Sequence, residues 1–320
     1  MPTTTPAALA AFEREREHLT GVAYRMLGSR ADAQDAVQEA WLRYAAVLAS
    51  APAAADGSGI RDVRAWLTTT TGRICLDVLR SARVRREAYP GPWLPEPVVT
   101  RLPGAVTDPA TGFAPDPAAH AERTCEVGIA LLVVLERLGP EQRVALVLHD
   151  AFAVPFDEIA SVLGTTVEAA RQLASRGRRA VAEGHARHTA DRDEQRRVLA
   201  AFTSAARTGD LHALAAVLAP DVVAIGDGGG LSRAARRPIV GASRVARFYR
   251  GVWRKLQRNT RVLVVEPVVV NGDLGLLVRG EYTDGRPLLS VLAVAIADGR
   301  ITALYSQQNP AKLGRLTDDQ

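Results

Sequence analysis

The stretch FDEIASVLGTTVEAARQLASRGRRAV, from Phe156 to Val181, carries Arg171, Arg176, Arg178 and Arg179 with Gln172 and Ser175 among them. Guanidinium, amide and hydroxyl groups on one helix face are suited to contacting duplex DNA, as the second helix of a helix-turn-helix does. A solvated basic face explains the same charges, so the elements around it decide between the two readings.

Those elements read as two short helices around a tight turn. Ile159, Ala160, Val162 and Leu163 give the first an apolar face, and Gly164 breaks it. Thr165 and Thr166 are N-cap candidates, because a side-chain oxygen there accepts from the free amides of the next turn. The second helix then buries Val167, Ala170 and Leu173 or Ala174, and small Ala160 allows close approach.

Other chemistry finds little support. His212 lies in the amphipathic DLHALAAVLAP, Asp221 follows a helix end, and Asp227 precedes three glycines whose turn exposes backbone amides. Neither a catalytic set nor a metal-ligand cluster is visible, and no cofactor is implied. Cys75 and Cys125 are far apart and form neither a zinc pattern nor a disulfide framework, which points to a reducing, cytoplasmic setting. No signal peptide or membrane-length apolar run is expected.

A chain of 320 residues with 47% apolar content suits two or three folded domains. Its net charge of +5 is unevenly placed: residues from Asp191 onward carry about +6 and the preceding ones about −1. Residues 9–50 and 61–86 read as helical. Pro90 to Pro117 is proline- and glycine-dense linker, and 121–188 returns to helix. After two more helices come DVVAIG, RVLVVEPVVV, LGLLVRGEY, LLSVLAVAI and ITALYSQQ. These read as strands, with hairpin turns at Asn271-Gly272, Asp284-Gly285 and Asp298-Gly299. In GASRVARFYRGVWRKLQRNTR, Arg244, Arg247, Arg254, Lys255 and Arg258 share one helix side, facing solvent, an acidic surface or phosphate.

The first helical block is less specific. Ala36, Val37, Ala40, Trp41 and Tyr44 form one stripe, with Asp32, Asp35, Gln38, Glu39 and Arg43 opposite. In VRAWLTTTTGRICLDVLRSARVRRE, Arg73, Asp77 and Arg80 recur at helical spacing before Arg83, with Trp66 and Thr68 to Thr71 close by. An aromatic beside arginines and hydroxyls could hold splayed bases of a single strand. A helix end rich in solvated arginines accounts for them equally well.

Taken in order, DAQDAVQEAWLR, AWLTTTTGRICLDVLRSARVRRE and the helix-turn-helix resemble regions 2 and 4 of an extracytoplasmic-function (group IV) RNA polymerase sigma factor. YPGPWLPEPV, DGGG at Asp227 to Gly230 and NPAKL at Asn309 to Leu313 resemble motifs of a subgroup with an added SnoaL-like, NTF2-like domain, often called SigJ-type. The resemblance implies two all-α sigma domains, a region 2 bundle at 9–86 and a region 4 helix-turn-helix at 121–188. A linker at 87–120 joins them, and an α+β, cone-shaped domain follows at 192–320.

The implied partners are promoter DNA and core RNA polymerase through its β′ and β subunits. Asp35, Val37, Gln38, Glu39 and Trp41 fall where region 2 docks on the β′ coiled coil. Trp66, Arg73, Asp77, Arg80 and Arg83 fall in the block that melts and reads the −10 element. Arg171, Gln172, Ser175 and Arg176 fall on the −35-reading helix, where arginine can pair bidentately with guanine while Arg178 and Arg179 hold phosphates. Asp227, Gly228, Gly229, Gly230, Asn309, Pro310 and Lys312 fall in motifs expected where the added domain meets the sigma domains.

Two departures stand out. Gly177 replaces a small non-glycine residue, which predicts a looser helix. Leu231 replaces a lysine, so a substitute would have to come from Arg233, Arg236 or Arg237. The reading is a non-enzymatic initiation factor modulated in cis by its last domain. The alternative is a DNA-binding regulator whose C-terminal pocket binds or turns over a small molecule. Promoters, inducing signal, pocket ligand and any anti-sigma partner are not written in the sequence.

Overall fold

The computed structural model describes residues 6–50, 60–87, 89–102, 128–184 and 188–316, with the side chains of 82–87 outside the description. Its elements in chain order are α1 (Pro6–Leu27), α2 (Arg30–Ser50), α3 (Val63–Glu87), β1 (Val99–Arg101), α4 (Ile129–Leu135), α5 (Pro140–Leu146), α6 (Phe156–Leu163) and α7 (Val167–Gly184). Then follow α8 (Arg192–Thr208), α9 (Leu211–Ala216), β2 (Leu218–Asp227), β3 (Ile239–Val240), α10 (Ala242–Asn259), β4 (Thr260–Val270), β5 (Asp273–Tyr282), β6 (Pro287–Ala297), β7 (Arg300–Gln307) and α11 (Pro310–Leu313). The chain divides into two compact units: Met1–Glu87 with Val134–Gly184, and Ala88–Val133 with His185–Gln320.

The first unit is helical. Leu19, Val22 and Met26 of α1 are buried with Ala33, Ala36, Val37 and Ala40 of α2 and Leu67, Ile74 and Cys75 of α3. Gly28 carries the chain from α1 to α2 with φ of 67°, a left-handed value that glycine adopts without Cβ strain. A π-helical turn, Val147–Ala151, follows α5. The expected helix-turn-helix comes next. Gly164 (φ 64°) caps α6, and Thr166 Oγ1 accepts from the Ala169 amide at 3.2 Å to start α7.

The second unit is a seven-stranded sheet in the order β1-β4-β5-β6-β7-β2-β3. Only β2 and β7 pair in parallel; the other pairings are antiparallel. Register shifts put extra residues in β2, β4 and β7 and mark bulges, which bend strands. Leu199 and Phe202 of α8, Leu214 of α9 and Val245 and Tyr249 of α10 close over Leu276, Leu292, Val294 and Leu304 of the sheet as one core. The predicted turns hold: Asn271-Gly272 and Asp298-Gly299 have positive φ at both residues.

The proline-rich stretch read as linker is partly structured. Val99–Arg101 pairs with Val268–Val270 as the edge strand β1, and Val98 and Asn271 exchange hydrogen bonds at 2.8 and 2.9 Å. Residues 103–117 of the stretch lie outside the described residues.

Candidate functional site

Helix α7 presents one open face. Ala170, Ala174 and Gly177 are buried, whereas Arg171, Gln172, Ser175, Arg176, Arg178 and Arg179 are all exposed. Gly177 does not loosen this helix, contrary to the expectation: a Cβ there would sit 3.3 Å from Leu146 Cβ and 3.4 Å from the Gln142 carbonyl oxygen. The missing side chain is what lets α5 press against α7. Arg171 lies 5.7 Å from the Phe156 ring centroid. Arg178 is clamped by Asp150 of the π-helical turn, Nε to Oδ2 at 2.7 Å and Nη2 to Oδ1 at 2.6 Å. That donated pair first, outweighing partial burial, holds the Asp150 carboxyl below its ordinary pKa. Arg176 and Arg179 have no ion-pair partner among the described residues and stay available to a ligand.

On α2, Asp35 and Gln38 are exposed, and Glu39 pairs with Arg43 at 2.9 Å. Val37 is 3% exposed, so it supports this face from within and cannot itself touch a partner. Trp41 is half-buried, 4.9 Å from the Phe12 ring. Trp66 likewise packs 5.8 Å from Tyr44. The proposed row of hydroxyls beside it is not a surface: Thr68, Thr70 and Thr71 point inward, and only Thr69 of that run is half-exposed.

Helix α3 is itself a packing partner of α6 and the π-helical turn. Gly72 leaves room for Leu148 and Val162, whose methyl carbons lie 3.3 and 3.6 Å from where a Cβ would stand. Arg73 Nη2 donates to Ser161 Oγ at 2.8 Å and to its carbonyl at 3.2 Å, and Arg80 pairs with Glu141 at 2.9 Å. Two of the residues predicted to read single-stranded bases are therefore occupied by the helix-turn-helix half of the same unit. Asp77 is exposed, and the Arg83 side chain lies outside the described residues.

In the second unit the distant motifs converge on Asp227, which is fully buried. Its Oδ1 accepts from the Tyr89 hydroxyl at 2.6 Å and the Gly229 amide at 2.9 Å. Oδ2 accepts from Lys312 Nζ at 2.7 Å, the Leu94 amide at 3.0 Å and Gln307 Nε2 at 3.3 Å. Burial pulls this carboxyl upward, but the Lys312 ammonium and the donated hydrogen bonds outweigh it, and its pKa falls below the ordinary value. Burial, then the bond to Asp227, drives the Tyr89 phenol the other way, well above 10. Lys312 also donates to the Leu94 carbonyl at 2.6 Å and lies 3.9 Å from the Trp93 ring centroid, a cation–π distance. Asn309 donates to Tyr89 at 2.9 Å and caps α11 at the Ala311 amide, while Pro310 begins that helix, exposed.

The three glycines are required by contact as well as by flexibility. A Cβ on Gly228 would stand 2.2 Å from the Ser232 carbonyl oxygen, one on Gly229 2.4 Å from Asn309 Cγ, and one on Gly230 2.7 Å from Pro90 Cγ. Leu231 is exposed and takes no part, and Lys312 supplies the cation facing Asp227. The expected surface between domains is thus, among the described residues, a clamp on the segment Tyr89–Pro95. Tyr89, Trp93, Gln307, Asp150 and Glu141 were not picked out from sequence. The first two stand within the quoted YPGPWLPEPV, which was the available signal.

His188, not the exposed His212, is the histidine that meets an acid here. Its Nδ1 accepts from the Ile296 amide at 3.0 Å and its Nε2 lies 2.9 Å from Asp273 Oδ1, so both nitrogens serve the fold. Neither residue lines the large cavity between the sheet and α10. Asp221 is exposed on β2, and the described residues contain no cluster of acids, histidines and cysteines suited to a metal. No described helix is long and apolar enough to cross a membrane.

Comparison with known proteins agrees with this architecture segment by segment. Residues 11–85 match Sigma-70 region 2, residues 129–181 match Sigma-70 region 4, and residues 196–304 match the SnoaL-like domain. The chain is 43% identical to the ECF RNA polymerase sigma factor SigJ of Mycobacterium tuberculosis over 94% of its own length and 91% of that protein's. It is 34% identical to the probable ECF sigma factor SigI of the same species, over 96% and 95%. The crystal structure of M. tuberculosis SigJ superposes with a TM-score of 0.69 at 38% identity, covering 96% of this chain and 98% of that one. With exposed arginines on α7, a region 2 bundle before them and a SnoaL-like domain behind, the chain belongs to the extracytoplasmic-function RNA polymerase sigma factors.

Proposed function

We propose that this sigma factor is controlled in cis by its SnoaL-like domain through the clamp on the interdomain segment. The observation that carries the reading is Asp227, a buried carboxylate with donors from Tyr89, Leu94, Gly229, Gln307 and Lys312. A group so placed holds Tyr89–Pro95 to the domain, so the segment leading from region 2 toward region 4 is not free while the clamp is made. Breaking a buried ion pair by removing one partner costs on the order of 3–5 kcal/mol, enough to matter to that equilibrium.

In the same reading, Asp35, Gln38 and Glu39 dock on the β′ subunit of core polymerase with Val37 and Trp41 beneath. Trp66, Arg73, Asp77, Arg80 and Arg83 serve the −10 element once α3 and α6 separate. Arg171, Gln172, Ser175 and Arg176 read the −35 element while Arg178 and Arg179 take phosphates. The work is done in the cytoplasm, where the polymerase is.

The test is run-off transcription with core enzyme, comparing the parent chain with Lys312→Met and Asp227→Asn after confirming that each variant is folded. A coupling of 1–3 kcal/mol predicts a change in yield of at least about fivefold. Unchanged yield and unchanged promoter affinity in folded variants would end the reading.

A further inference from the structure

The SnoaL-like domain encloses a cavity of about 1090 Å³ that the transcription role does not use. Its walls are apolar and aromatic, with Phe202, Phe248, Tyr249, Trp253, Leu276 and Leu292 among them. Charge is one-sided: Arg233, Arg247, Lys255 and Arg286 line it with Asp284 as the single carboxylate, and Asp284 is taken by Arg286 at 2.7 Å. Arg233, Arg247 and Lys255 are exposed and make no ion pair among the described residues.

The cavity and the clamp share two strand ends. β2 and β7 run parallel with Gly226 opposite Ser306 and Asp227 opposite Gln307. Successive residues of a strand face opposite sides. Gly226, Ser306 and Gln308 line the cavity, and Asp227, Gln307 and Asn309 form the clamp. Leu231 to Ala235, which continue the Gly228–Gly230 turn, line the cavity as well. Anything filling it touches residues one peptide bond from those that hold Tyr89 and Leu94.

We propose that this cavity is the receptor site for a small, largely apolar organic acid, its anion held by Arg247, Lys255 and Arg233, and that its occupancy bears on the clamp. Apolar rings match the walls, and an anion answers the surplus of cations. The ligand chemistry stands by itself; the second half rests on the reading of the clamp as the seat of control.

Two dyes of one ring system separate charge from apolar fit: anilinonaphthalene sulfonate and its uncharged analogue phenylnaphthylamine. Each is titrated into the full chain and followed by energy transfer from tryptophan, with Trp253→Phe locating the site. Both should saturate one site and lose transfer in Trp253→Phe. Arg247→Gln with Lys255→Gln should weaken the sulfonate about tenfold, the worth of one charge-assisted contact, and leave the uncharged dye unchanged. Unsaturable binding, undiminished transfer in Trp253→Phe, or a sulfonate indifferent to the double variant would overturn the site.

Hydrogen exchange then reads the coupling: bound sulfonate should alter protection of the Gly229 and Leu94 amides. Saturable binding with unaltered protection overturns the coupling and leaves the site. Control through the clamp fails on a separate result, transcription unmoved by Lys312→Met, which no dye measurement touches.

Discussion

Asp150 holds one edge of the Arg178 guanidinium with both carboxylate oxygens, at 2.6 and 2.7 Å, and so occupies a cation on the exposed face of α7. Asp150→Asn should free that cation and remove a carboxylate from the face proposed to meet DNA. Affinity for a −35 duplex should rise, and the salt dependence should steepen by about one phosphate contact. Adding Arg178→Ala should cancel both gains. Titrations at several salt concentrations would show it, and identical slopes for parent and Asp150→Asn would remove Arg178 from the phosphate contacts.

Arg176 is exposed and makes no ion pair among the described residues, as the base-reading role proposed for it requires. Arg176→Ala should cost on the order of 1–3 kcal/mol of discrimination between preferred and altered −35 sequences. Binding to core polymerase should stay as it is. Equal preference in parent and variant would move base reading elsewhere on α7.

Charge reversal at Asp35 and Glu39, both on the outer face of α2, should weaken association with core polymerase while the helical circular dichroism is retained. Val37→Ala makes the contrast: its side chain is buried, so it should lower thermal stability first. A core titration unmoved by the reversal would place the docking face on another surface.

The clamp sets a pH window. Asp227 has its pKa lowered from 3.8 in the fold, so its contribution is complete above the ordinary aspartate range and is lost as pH falls through the lowered value. Tyr89 is raised from 10, so its contribution is complete below that pH and is lost as pH rises beyond it. The stability difference between the parent and Asp227→Asn should stay flat from mild acid to mild base and shrink only at low pH. Melting temperatures across pH would report it; a difference already fading near neutrality would mean that Asp227 is not ionised in the fold.

Gly229→Ala tests the close approach. Its φ of 61° strains any side chain, and the new Cβ would stand 2.4 Å from Asn309, which bonds Tyr89. Gly285, with φ of 82° and open space around it, supplies the control for backbone strain alone. Strain should cost each variant about 1–3 kcal/mol, with Gly229→Ala the larger loss in denaturant midpoint. Equal losses would show that Asn309 gives way freely.

What was legible in the sequence was local. Gly164 and Thr166 act on their own neighbours, and the Asn-Gly and Asp-Gly turns need no distant partner, so the helix-turn-helix and the hairpins could be placed. The fate of Arg73 and Arg80 could not, because Ser161 and Glu141 lie 88 and 61 residues further along. Thr68 to Thr71 misled for another reason: hydroxyl-bearing residues carry no pattern that tells a buried helix face from an open one. The glycines after Asp227 were read as freedom, yet the groups that exclude side chains there, Asn309 and Pro90, are set by tertiary contact.

Val99–Arg101 also does something for the sheet it joins. It pairs Val268–Val270 of β4, the strand that would otherwise end that side of the sheet. Were the interdomain segment to leave, those amides and carbonyls would become an unprotected edge, a template on which another chain can pair. Release from the domain thus carries a hazard of self-association, one that a returning β1, or a second copy of this chain offering its own β1, would equally well remove.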